Sequence, residues 1–191
     1  TDATSSIQST SASIKAALRD VDRIMDSSVS LAQSLSSIGD QGAPQAIASI
    51  ENIRDKIDQA ATRVNSISQV LNDINVVNSN VLNNAVTRLN NEYKSLTDAS
   101  SRLAYLIDQV NMSNSMSSSI AQDVVNIVGE SSEGINNFIR DFDDLVTRPL
   151  SRINGNVSTV TGDIRAMVDS TSQLYPSVNG FINTASSLNS R

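Results

Sequence analysis

The chain contains no cysteine, no histidine and no tryptophan. Without cysteine there is no thiolate nucleophile and no disulfide, and the redox compartment stays open. Without histidine the commonest general base is missing, and with both gone most zinc and copper sites are excluded. Aromatic residues make up only 3% of the 191 residues. They supply the largest buried areas in ordinary cores, so a core here must be assembled from Ile, Val, Leu and Ala. Such a core is thin and suits helices packed along a shared seam. A surplus of basic charge is also lacking: 14 Lys and Arg stand against 20 Asp and Glu, a net charge of −6. Nucleic acid demands a basic surface that neutralises phosphates, so that class of partner is excluded, and an anionic membrane surface is a poor one. No run approaches the roughly 18 uninterrupted apolar residues of a membrane-spanning helix.

What the chain does have is apolar residues repeating in steps of three and four, the period of an amphipathic helix. Ile7, Ile14, Leu18, Val21, Met25, Ala32, Leu35 and Ile38 form the first stripe. Gly39, Gly42 and Pro44 make the clearest break, and Pro44 suits the first turn of the next helix. A second stripe runs from Ile47 to Ile74 and continues through Val77, Val81, Leu89, Tyr93 and Leu103 to Val110 with no Gly or Pro. Either one helix of about 90 Å spans it, or two helices meet at a turn near Asn78, Ser79 and Asn80; matching helix lengths favour the turn. A fourth stripe holds Ile120, Val124, Ile127, Ser131, Ile135, Phe138, Phe142 and Leu145, with Gly129 and Gly134 inside it. Pro149 and Pro176 bound the later segments. No alternating strand pattern appears. The expected fold is all-α: one elongated up-and-down bundle, residues 1–191, of four to six long amphipathic helices, roughly 4–38, 44–77, 80–111, 116–147, 149–174 and 177–189. Ser and Ala beside the seams would let helix axes approach closely.

Catalytic chemistry finds little footing. Asp141, Asp143 and Asp144 resemble a fragment of a calcium loop, but the glycine and distal Glu of that loop are missing, and a solvated acidic face is the expected reading. A serine nucleophile would need a lysine base, yet none of Lys15, Lys56 and Lys94 follows a serine at the required spacing. No glycine-rich phosphate loop is present. The protein is therefore expected to be non-enzymatic and to use no cofactor and no metal.

The most hydrophobic patch surrounds Phe138 and Phe142, four residues apart, with Ile135 and Ile139 beside them. The widest core layer is one reading. A groove for an apolar ligand is the other, built from Ile135, Phe138, Ile139 and Phe142 and closed by Phe181 and Ile182 if the last segment folds back. Asn111 and Asn156 head N-glycosylation sequons. A chain opening on Thr1 is expected of a signal-cleaved mature protein or of a piece cut from a longer one. With polar faces dominated by Ser, Asn, Thr and Gln and only 18% charged residues, these features point to a secreted protein. The expected function is binding of an apolar small molecule, a lipid or an apolar surface. The alternative is a structural or protein-interaction module, self-associating or partner-binding, including an extracellular sensor domain cut from a receptor.

One short pattern recurs: TRVN at Thr62, TRLN at Thr87 and SRIN at Ser151. Each places an aliphatic residue after an arginine. In a helix that aliphatic falls on the seam, and the arginine runs along the core edge with its stem buried and its head in water. The pattern is expected to mark helix packing rather than an active site.

Overall fold

The computed structural model describes residues 2–35, 43–77 and 80–151. They form an all-α helical bundle, with no strand among the described residues. Helix α1 spans Asp2–Leu35, α2 Ala43–Val77, α3 Asn83–Ser113 and α4 Ser118–Arg140. A π-helical turn at Asp143–Thr147 and a single helical turn, α5, at Arg148–Leu150 follow. The expected helix 177–189, most of 149–174, and the third copy of the recurring pattern beyond Ser151 lie outside the described residues.

The long stripe between Pro44 and Val110 is two helices. Asn80 sits at the break with a φ of 67°, a left-handed conformation that asparagine tolerates better than most residues. Its side-chain Oδ1 accepts from the Asn83 amide at 2.8 Å, tying the turn to the start of α3. Val81, expected on the seam, is only half-buried, because the turn rotates the chain and sends Leu82 into the core instead. Tyr93, also expected on the seam, lies at its edge with 37% exposure; the stripe steps from Leu89 straight to Leu96.

The junction between α3 and α4 is similarly local in origin. Asn114 takes a φ of 53° and stops α3. Ser117 then caps α4, its Oγ accepting the Ile120 amide N–H at 3.1 Å. Met116 and Ala121, the positions of a hydrophobic staple around that cap, are both buried.

The fourth helix departs from the expected 116–147. Pro149 has no N–H, and its ring opposes the carbonyl four residues back. The chain answers with a wider turn, in which the Arg148 N–H bonds to the Asp143 carbonyl. This shifts the phase of the stripe. Phe138, Phe142, Val146 and Leu150, spaced by four, are all buried, whereas Leu145, expected on the seam, is half-buried. Steps of four drift around an α-helix of 3.6 residues per turn; a π turn holds more residues and keeps them on one side.

By their internal packing the residues divide into two compact units. The first takes the described residues of Thr1–Asp20, Arg63–Asn91 and Asn137–Arg191, the second Val21–Thr62 and Glu92–Asn136. The divisions fall inside α1, α2, α3 and α4, not in loops. Both cores are built mainly of Ile, Leu, Val and Ala, diluted by serine. Ser28 and Ser131 are buried and return their hydroxyls to the carbonyls of Ile24 and Ile127, at 3.0 and 3.1 Å. In the second unit Ser100 receives the Arg54 Nε on both its carbonyl and its Oγ, at 3.1 Å each, joining α2 to α3. In the same unit Glu92 reaches Gly134 and Arg102 reaches Glu130, so α3 and α4 run antiparallel there.

Candidate functional site

The expected groove residues fall as follows. Phe138 and Phe142 are buried in the first unit, edge to face, with ring centroids 6.5 Å apart and planes at 78°. Ile139 beside them is half-buried. The Arg88 guanidinium lies 5.5 Å from the Phe138 centroid and the Lys15 ammonium 5.7 Å from that of Phe142. Ile135 is buried and belongs to the second unit. Phe181 and Ile182 lie outside the described residues.

The cations over the rings are themselves anchored by the acidic group. Arg88 Nη1 donates to Asp141 Oδ2 at 2.9 Å, and Lys15 Nζ stands 3.6 Å from Asp143 Oδ1. Asp144 pairs with Arg148 at 2.7 Å. Ser11 and Thr147 share a hydrogen bond of 2.7 Å, and Thr147 donates to Asp143 Oδ1 at 3.1 Å. The three aspartates thus point to three different cations on or beside the π turn. Among the described residues no cluster of three or more acidic side chains is placed to hold a metal ion.

The recurring arginines sit as their pattern suggests. Val64 and Leu89 are fully buried. Arg63 and Arg88 are each about a third exposed, and each reaches an aspartate on a different segment: Asp20 on α1, and Asp141 just past the end of α4. Asn90, which closes the second copy, accepts the Ser68 hydroxyl at 2.6 Å. These are packing contacts at core edges.

Asn111 is exposed in the last turn of α3. The Ser113 hydroxyl of its sequon donates to nearby backbone carbonyls, that of Gln109 at 2.9 Å among them. Asn156 lies outside the described residues.

A different surface stands out in the second unit. Between α3 and α4 an open cleft of about 400 Å3 is lined by Ser101, Arg102, Tyr105, Leu106, Asp123 and Ile127. Leu106 and Ile127 form its floor and are buried; Asp123 and Arg102 form its polar rims, with Arg102 Nη1 3.5 Å from Glu130. Tyr105 is 62% exposed, and Met112, seven residues on and so on the same side of α3, is 81% exposed. The stripe passes Tyr105 by, through Leu103, Leu106 and Val110; an aromatic off the seam in a chain with three tyrosines was the available signal in the sequence. The cleft holds no pair of acid and base groups and no nucleophile beside a base. What it offers chemically is an apolar floor, one aromatic wall and a charge of each sign. No family model matches the chain, and neither does any curated protein or any solved structure.

Proposed function

We propose that this protein is a non-enzymatic helical bundle that binds an apolar surface of a protein partner through the outward side of α3. The observation that carries this reading is the exposure of Tyr105 and Met112, one heptad apart and beside an open cleft. Tyrosine and methionine are the side chains that interfaces collect, and a cleft with an apolar floor and polar rims accepts an anchoring side chain. Photo-crosslinking tests it. Tyr105 replaced by p-benzoylphenylalanine, in the protein's own cellular or secreted setting, should give a discrete protein adduct. The same group at Glu51, exposed on α2, should not. Equal labelling at both positions, or none at either, would sink the reading.

Binding of a lipid or other apolar molecule beside Phe138, Ile139 and Phe142, within the first unit, is the second reading. It is favoured by what lies over the aromatic pair: the long Arg88 and Lys15 side chains, whose displacement would uncover the rings and break only partly exposed ion pairs to Asp141 and Asp143. A fluorescent fatty acid titrated into the protein should then bind with saturation, and Phe142→Ala should weaken it several-fold. Export from the cell accompanies both readings, supported by the exposed sequon at Asn111 and the charge-poor faces. Glycosidase treatment of protein from its natural source should lower its mass by that of one glycan or more.

A further inference from the structure

The outward side of α3 carries an ordered set of charges as well as exposed apolar groups. At 100° per residue, Lys94, Ser101, Tyr105, Asp108 and Met112 fall within one narrow strip, opposite the buried Leu103 and Val110, with Asp98 at its edge. All of the strip is exposed, and from Lys94 onward it lies within the second unit. Lys94, Asp98 and Asp108 make no ion pair among the described residues. Arg102, on the same flank as Asp98, has only the long 3.5 Å approach to Glu130.

The placement is self-complementary. Lys94 and Asp108 stand seven residues to either side of Ser101. If a second α3 is laid antiparallel on the first about a two-fold axis at Ser101, Lys94 of each copy faces Asp108 of the other. In an antiparallel pair like flanks meet, so Asp98 and Arg102 also come together twice, offset by about 3 Å along the axis, which a guanidinium spans. Tyr105 comes over the other copy's strip between Asp98 and the small Ser101. The like-charge approach in this register is Arg102 toward its own copy across the two-fold, and each Arg102 has the other copy's Asp98 at the same offset to answer it.

Accepting the interaction reading of this face, we infer that its occupant is a second copy of this chain, docked antiparallel along α3 about a two-fold axis at Ser101. The interface is isologous, as a two-fold requires. It is held by charge pairs with a single aromatic on each side, so it is salt-sensitive and of modest affinity.

Sedimentation of the full chain tests this. At low salt the average mass should climb from one copy toward two between about 10 μM and 1 mM, the range in which small polar interfaces form. Salt near 0.5 M should reverse it, because screening shortens to a few ångströms. K94D and D108K, each at an exposed position, should each abolish the dimer, and the double variant K94D/D108K should restore it. Because the chain has no cysteine of its own, S101C should close a disulfide between copies on mild oxidation. A cysteine placed at Glu51 should not. A monomer at 1 mM and low salt overturns the inference, as does a dimer indifferent to both single variants. An adduct at Tyr105 with a different protein, alongside a strict monomer, would remove the second copy as occupant while leaving the interaction reading intact.

Discussion

At the scale of single residues, glycine spacing and carboxylate burial make opposite demands. Gly129 and Gly134 both sit inside α4, where a glycine costs about 1 kcal/mol relative to alanine. A Cβ on Gly129 would meet nothing within 4 Å, whereas one on Gly134 would collide with the Glu92 carboxylate. Gly129→Ala should therefore stabilise the protein by roughly 0.5–1 kcal/mol in urea unfolding. Gly134→Ala should gain less or lose, since Glu92 must move. Asp22 is the other case. Burial raises its carboxyl above the ordinary 3.8, and the Asp26 charge adds to the rise. Its Oδ1 is enclosed with no hydrogen-bond partner among the described residues. Because the folded value lies above the unfolded one, the stability tied to Asp22 is present below pH 3.8 and is lost as pH climbs through the raised folded value. Asp22→Asn should thus melt higher than the parent at neutral pH, and the gap should close on acidification toward 3.8. A gap that stays constant with pH would mean that the gain is not electrostatic.

At the scale of elements, the π turn decides which side chains of the last described segment reach the core. It was illegible in the stripe, where Phe142 to Leu145 is an ordinary three-residue step. Pro149 marked a boundary but could not say that the chain would absorb it by widening one turn. The consequence is a sharp contrast between neighbours. Leu150→Ala should cost about 2–5 kcal/mol, as for a buried leucine, and Leu145→Ala well under half of that; thermal melts followed by circular dichroism would measure both. Similar losses at the two sites would mean that the segment continues as a regular α-helix. The turn at Asn80 was more legible, because asparagine-rich sequence between two stripes of similar length disfavours one long helix.

At the scale of the molecule, the two units share their helices. The divisions after Asp20, Thr62, Asn91 and Asn136 each interrupt a continuous hydrogen-bonded helix. Breaking a helix in its interior leaves unpaired carbonyl and amide groups on both sides, so none of the four divisions is an inexpensive place for its helix to break. Urea unfolding followed at 222 nm should show one transition, with hydrogen exchange of the most protected amides in both units reporting the same free energy. Two transitions would show that the helices melt at the unit divisions.

The sequence by itself determined the all-α class, most of the seam and the packing role of the recurring arginines. These follow from periodicity along one chain: an apolar residue every three or four positions must face inward, and an arginine one step before it must lie at the edge. Tertiary structure alone decided what the edges and outer faces do. Nothing in TRVN or TRLN says that Arg63 meets Asp20 or that Arg88 spans from Asp141 to the Phe138 ring, because partners on different helices depend on register and rotation that local spacing does not encode. For the same reason the sequence singled out Phe138 and Phe142, the largest apolar groups, which the fold buries against each other. It passed over Tyr105, whose exposure and place beside the α3–α4 cleft exist only once the two helices are packed.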